Sequence, residues 1–74
     1  MKTLDKLALG QSAQISKIET SGPNAQRLMA MGVLPGSKVK LVQIAPLGDP
    51  ITILLAGGKL SLRKSDACFV HLSE

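Results

Sequence analysis

The sequence predicts a mostly β fold: a small barrel of five short strands with one short α-helix between the first and second strands. Three observations predict it. Five short stretches carry apolar residues at alternate positions, as strands with one buried face do. Three of the four prolines lie between Gly32 and Pro50, where they specify sharp turns. Because 74 residues have room for one small core, residues 1–74 are expected to form a single domain.

The first strand is expected at residues 12–18, where Ala13 and Ile15 alternate with Gln14 and Ser16. A leucine-rich segment precedes it, at residues 4–9, and can pack over one end of the core. The N-terminal region therefore supplies one strand and an apolar cover.

A short helix is expected from about residue 23 to residue 31. Ser21 or Asn24 can cap its first amides, and Pro23 suits the first helical turn. Its apolar residues recur at three-residue steps, and Gly32 can end it with positive φ. A helix of little more than two turns does not persist alone, so it must dock on the sheet or cap an open end of the barrel.

Turn-forming residues in the middle of the chain specify where the backbone changes direction. Pro35 fixes φ and Gly36 completes a tight turn into the next strand. Asp49, in a loop flanked by prolines, is expected to accept hydrogen bonds from nearby backbone amides rather than act as a functional carboxylate. The predicted structural turn residues are Gly32, Pro35, Gly36, Pro46, Gly48, Asp49 and Pro50.

Four further strands are expected after the helix, at residues 38–44, 51–56, 59–63 and 68–72. In the first of them Val42 and Ile44 share a face with the lysines, which leaves apolar surface outside the core. Gly57-Gly58 is a favoured two-residue hairpin turn, and residues 64–66 form a polar connection. These strand lengths fit a partly open, SH3-like barrel rather than a sandwich.

The charge of the chain invites a nucleic-acid interpretation that its composition does not favour. The formal net charge is +4 and the isoelectric point about 9.7. The basic residues are dispersed, and Phe69 is the single aromatic residue, so bases have almost nothing on which to stack. A solvated surface is favoured, and a nucleic-acid-binding barrel stays as an alternative. A cytosolic location is expected, because the sequence contains no apolar run of signal-peptide or membrane-span length.

Metal and catalytic chemistry have few candidate residues. Cys68 and His71 would lie on opposite faces of the last strand and could not easily share an ion. Cys68 is expected in the core, and His71 is expected to face outward with Phe69. The carboxylates are scattered, and neither a Ser/His/Asp nor a Cys/His arrangement is visible. We therefore expect no catalytic residues, no metal site, no cofactor and no enzymatic activity.

Three segments together resemble the ferrous iron transport protein A (FeoA) family: residues 28–37, 45–51 and 60–67. The resemblance extends over essentially the whole chain. It implies an SH3-like barrel, a cytosolic location and an accessory role toward the large membrane ferrous-iron transporter that carries a GTPase domain. A similar domain ends metal-dependent repressors of the diphtheria-toxin-repressor type, but this chain has no room for their DNA-binding helices. It resembles the free-standing form, and the family's association with iron does not by itself imply that this chain binds iron.

The candidate partner-binding residues lie at the junction between the helix and the following turn: Arg27, Leu28, Met29, Met31 and Leu34. Leu28 and Met31 share helical spacing and are favoured to close one mouth of the barrel. Met29 and Leu34 are expected to be exposed, and Arg27 is expected to be solvated. Direct iron binding or iron sensing is a weaker alternative. The sequence leaves open whether an edge strand mediates homo-oligomerisation. It also leaves open whether the protein affects GTP hydrolysis, channel gating or assembly of its partner.

Overall fold

The computed structural model describes residues 2–19 and 22–73, and in these residues six antiparallel strands form one sheet. Two helices and one 3₁₀ turn, Leu4–Lys6, accompany the sheet. The strands are β1 (Lys2–Thr3), β2 (Ser12–Ile18), β3 (Lys38–Ile44), β4 (Ile51–Leu55), β5 (Gly58–Leu62) and β6 (Val70–Ser73), and the helices are α1 (Pro23–Ala30) and α2 (Lys64–Ala67). None of the helices in the described residues is long and apolar enough to span a membrane.

The strand order β1-β6-β2-β3-β4-β5 makes β1 and β5 the two edges of the sheet, so the barrel is not closed. The predicted mostly β, SH3-like class is confirmed, with one strand more than expected. The additional strand is β1, which pairs with β6 through Lys2 opposite Leu72 and Thr3 opposite His71. Two residues are too few to show alternation, so the sequence pattern could not reveal β1. The helix α1 therefore follows the second strand.

The core lies between the sheet, α1 and the N-terminal segment. Leu4 and Leu7 are buried in it, as expected of a leucine-rich cover, whereas Leu9 is exposed. The strands contribute their alternate residues to the same cluster. Its buried members are Leu4, Leu7, Ile15, Leu28, Val33, Val39, Leu41, Ile51, Ile53, Leu55, Leu62, Ala67, Val70 and Leu72.

Two local expectations are corrected at chain turns. The register pairs Leu55 with Gly58, so the hairpin turn is Ala56-Gly57 rather than Gly57-Gly58, and Gly58 opens β5 with φ +127°. At the start of α1 the N-cap residue is Gly22, without a side-chain cap. The candidate cap Asn24 is instead the second residue of α1, and the other candidate, Ser21, lies outside the described residues.

Cys68 is not a core residue. The chain forms the one-turn helix α2, and the amide of Cys68 donates to the Lys64 carbonyl at 3.0 Å, so the last strand starts only at Val70. This helical turn places Ala67 in the core and leaves Cys68 exposed. The Cys68 thiol donates to the Ser65 carbonyl at 3.1 Å. The strand-face argument therefore does not apply to Cys68.

Candidate partner-binding surface

The end of α1 is a Schellman motif, which determines which side chains face the core. Met31 is the C-cap residue, and Gly32 follows it with φ +96°. The Gly32 amide donates to the Met29 carbonyl and the Val33 amide to the Leu28 carbonyl, both at 3.0 Å. Leu28 and Val33 are fully buried, as the apolar contact of this motif requires. The chain therefore leaves the helix with Met29 directed away from the core.

A hydrogen-bonded turn at Leu34–Ser37 follows. The Ser37 amide donates to the Leu34 carbonyl at 3.0 Å, and Pro35 and Gly36 occupy the central positions of the turn. Gly36 has φ +91°, which the third residue of a type II turn requires. The Gly36 amide donates to the Ile15 carbonyl at 2.7 Å, so the turn is attached to β2. Leu34 is therefore displayed by a fixed backbone.

The five predicted surface residues separate into exposed and buried members. Met29 is 40% exposed and Leu34 43%, in agreement with their expected exposure. Leu28 has no exposed surface, so it packs in the core and cannot touch a partner directly. Met31 is half-buried and packs against the core. The positions of Leu28 and Met31 fit the expectation that they close one mouth of the barrel. The position of Leu28 does not fit direct contact with a partner.

Arg27 forms an ion pair that the sequence does not indicate. Its Nη2 atom donates to Asp66 Oδ2 at 2.9 Å, which joins α1 to α2. The Arg27 side chain is 55% exposed and that of Asp66 19%. More than half of the Arg27 side chain is exposed, so Arg27 can face a partner while it also holds Asp66.

An open groove of about 660 Å³ adjoins the helix-to-turn junction. Met31 and Leu34 line it, whereas Arg27, Leu28 and Met29 do not. Three lysines also line the groove, whereas no acidic side chain of the described residues lines it. Its lining residues are Ser12, Met31, Gly32, Leu34, Ser37, Lys38, Val39, Lys40, Leu54, Leu55, Ala56, Gly57, Gly58, Lys59 and Leu60.

The strand register places Leu54 between two of the lysines. Lys40 is paired with Leu54 across β3 and β4, and Leu54 with Lys59 across β4 and β5. Leu54 is 40% exposed, because its neighbours Ile53 and Leu55 occupy the core face. These lysines and Leu54 were not among the predicted site residues. The signal available in the sequence was a large apolar residue at a solvent-facing position of β4.

The apolar surface expected outside the core on β3 is present in part. Ile44 is exposed and Val42 is half-buried. The pairing of β3 with β4 shifts between Leu41 and Gln43, so Val42 lies at an irregularity where strict alternation no longer holds.

The loop between β3 and β4 has a structural role. The Gly48 amide donates to the Ala45 carbonyl at 2.7 Å, and Gly48 has φ +92°. Asp49 Oδ1 accepts a hydrogen bond from the Lys64 amide at 2.9 Å. The expected amide contact of Asp49 therefore exists, although its donor is distant in sequence. Leu47 lies at the tip of the loop and is 98% exposed.

The candidate metal ligands do not come together. His71 contacts the Glu19 carboxylate through Nε2, and its side chain is only 16% exposed, so it is more covered than predicted. Cys68 lies on the connection after α2. Within residues 2–19 and 22–73, no group of three or more His, Cys, Asp or Glu side chains could hold a metal ion.

Taken together, a curved antiparallel sheet and a short helix that ends at an exposed turn define a small SH3-like domain. The profile of the FeoA domain matches residues 2–74, and the chain belongs to this family. A fusion protein of Porphyromonas gingivalis, described as Fe(2+) transport protein A fused to the Fe(2+) transporter FeoB, is 33% identical over 69 residues. That match covers 93% of this chain and 8% of the fusion protein, so this chain spans a small part of the relative.

Solved structures show the same fold. Iron(II) transport protein A of Clostridium thermocellum has a TM-score of 0.93 and 36% identity, over 97% of this chain and 44% of that chain. The FeoA of Stenotrophomonas maltophilia, solved in complex with zinc and described as a prokaryotic SH3 domain protein, has a TM-score of 0.86 and 27% identity. That match covers 99% of this chain and 91% of the other. The descriptions of all three relatives refer to iron(II) transport.

Proposed function

We propose that this chain is a cytosolic accessory protein of bacterial ferrous-iron uptake. It binds the cytoplasmic part of the membrane ferrous-iron transporter that carries a GTPase domain, and it regulates or assembles that transporter. The observation that supports this most strongly is the Porphyromonas gingivalis relative, in which an FeoA part and the FeoB transporter form one fusion protein. Fusion keeps two modules at high effective concentration, which favours contact between them.

The proposed contact surface consists of Met29 and Leu34, with Arg27 and Met31 beside them. Met29 and Leu34 are exposed apolar side chains on a backbone held by the Schellman motif and the type II turn. A rigid display of apolar side chains lowers the ordering cost of binding. The flexible, polarisable side chain of Met29 suits contact with a partner surface. Leu28 contributes indirectly, because its burial determines how the helix sits.

The test is a pull-down of the detergent-solubilised transporter from the same genome with this purified protein, with and without guanine nucleotide. The double variant Met29→Glu/Leu34→Glu places two charges on the proposed surface. We expect at least a tenfold loss of captured transporter, because a carboxylate must be desolvated at the contact. The matched control is Leu9→Glu/Leu47→Glu, which changes two exposed leucines outside the proposed surface and is expected to bind normally.

The result that would overturn this surface is equal capture by the folded Met29/Leu34 variant and the wild-type protein. No capture by wild-type protein in any nucleotide state would overturn the proposed partner. A parallel assay of GTP hydrolysis by the transporter's isolated GTPase domain separates the two roles. A changed rate indicates regulation, whereas an unchanged rate with intact binding indicates assembly.

A further inference from the structure

We propose that the groove lined by Leu34, Leu54 and Leu60 binds an extended acidic segment of a partner protein. The segment inserts one or two large aliphatic side chains and places Asp or Glu residues beside the groove lysines. This inference deepens the proposed function, since it rests on the partner being a protein. The groove shares Met31 and Leu34 with the proposed contact surface and extends from them, away from Met29, to β4 and β5.

The apolar part of the groove is a surface that this fold leaves uncovered. Leu34 and Leu54 are each about two-fifths exposed, and Met31 and Leu60 are half-buried against the core. These side chains come from three separate segments that converge on one cavity. Concave apolar surface of this kind is typical of a binding site rather than of an isolated exposed residue.

The charge of the groove specifies the chemistry of the segment. Lys38, Lys40 and Lys59 line the groove, and none of the three forms an ion pair within the part of the chain that the structure describes. The acidic side chains of the described residues all lie elsewhere. Carboxylates of a bound segment would complement this potential and would also speed its association.

The backbone beside the groove favours an extended segment over a helix. β5 is an edge strand, so one side of it pairs with no other strand of the described sheet. Gly57 and Gly58 line the groove, and a Cβ atom built on either would meet nothing within 4 Å. The backbone is therefore accessible there, and an extended chain can add hydrogen bonds to an open sheet edge.

A nucleic acid fits the same groove less well. Phosphates would satisfy the lysines, but none of the lining residues is aromatic, so no base could stack there. Because the groove offers aliphatic side chains and no aromatic ring, it favours a peptide over a nucleic acid.

The probe is a random dodecapeptide library displayed on phage, selected on the immobilised full chain at low salt. We expect enriched peptides with large aliphatic residues flanked by Asp or Glu. A synthetic version of the most enriched peptide should shift the amide resonances of residues 38–40 and 54–60 in ¹⁵N spectra. Its Kd should rise at least tenfold for Lys40→Glu/Lys59→Glu and for Leu54→Glu, each checked for its folded amide spectrum.

The matched control is Lys6→Glu, which changes an exposed lysine outside the groove and should leave Kd within twofold. The proposal is overturned if no peptide is enriched, if enriched peptides lack acidic residues, or if the shifts lie outside the groove. It is also overturned if a single-stranded oligonucleotide displaces the peptide and itself shifts these amides at lower concentration.

The transporter pull-down, repeated with the Lys40/Lys59 variant, separates this proposal from the proposed function. If this variant captures the transporter as well as the wild-type protein does, the groove is not the surface that contacts the transporter, and the proposed function stands. Acidic peptides bound in the groove without any capture of transporter leave the groove assignment standing and point to a different protein partner.

Discussion

Asp49 caps α2 from a different part of the chain: its Oδ1 atom accepts a hydrogen bond from the Lys64 amide at 2.9 Å. Lys64 is the first residue of a four-residue helix, and no side chain of that helix's own N-cap residue, Arg63, bonds its free amides. The loop between β3 and β4 is thereby attached to the segment that connects β5 to β6. A loop carboxylate thus stabilises a helix that is too short to persist alone.

Replacing Asp49 should destabilise the protein through the loss of this cap. We expect Asp49→Ala to lower the free energy of unfolding by about 1 kcal/mol, the usual value for a helix cap, and Asp49→Asn by less. Urea unfolding followed by circular dichroism measures both variants. Equal stability of Asp49→Ala and wild type would show that this hydrogen bond has no net effect.

Gly32→Ala should destabilise the end of α1. Gly32 has φ +96°, which costs an L-residue roughly 1–2 kcal/mol. The added Cβ would lie 3.8 Å from Leu55 Cδ1, which is an ordinary contact, so the cost comes from the backbone. The matched control is Gly57→Ala, where φ is not positive and the space is open. It should be neutral or slightly stabilising in the same urea titration.

Leu28 and Met29 are neighbours with opposite environments, and truncation should separate their roles. Leu28→Ala removes a fully buried side chain and should cost about 2–5 kcal/mol, enough to unfold much of a domain of this size. Met29→Ala should change stability by less than about 0.5 kcal/mol, because Met29 is a surface residue. Thermal melting of both variants is the measurement. A large loss of stability in Met29→Ala would mean that Met29 packs in the core.

The Arg27–Asp66 ion pair should contribute little to stability. Arg27 is more than half exposed, so a double-mutant cycle with Arg27→Ala and Asp66→Ala should give a coupling of about 0.2–1 kcal/mol. The coupling should shrink in high salt, because ions screen exposed charges. If Arg27 also contacts the transporter, Arg27→Ala will reduce the amount of captured transporter by more than the small loss of stability explains.

Cys68 should react quickly with thiol reagents in the native protein. It is exposed and lies outside the core, so Ellman's reagent should label one thiol per chain without denaturant. Cys68→Ser should leave the unfolding midpoint nearly unchanged, since it creates no cavity. Slow labelling that needs denaturant would return Cys68 to the core position that its sequence context suggested.

Much of this protein follows from neighbouring residues alone. Alternation of apolar residues predicted β2, β3, β4 and β5 within a residue or so, and Gly32 and the Pro35-Gly36 pair predicted the end of α1 and the turn after it. These features depend on which φ angles a residue permits and on which face of one strand it occupies. The exposure of Met29 and Leu34 follows from the same local rules.

The tertiary structure decided the rest, because it depends on which distant segments meet. Strand register placed Leu54 between Lys40 and Lys59, and the pairing of the first residues with β6 created β1. The one-turn helix α2, capped from the β3–β4 loop, shifted the last strand and brought Cys68 to the surface. The sequence alone thus determined most of the elements and their turns, whereas the groove and its charge exist only once four strands and a turn pack together. The spacing of residues within one segment contains no information about contacts between segments.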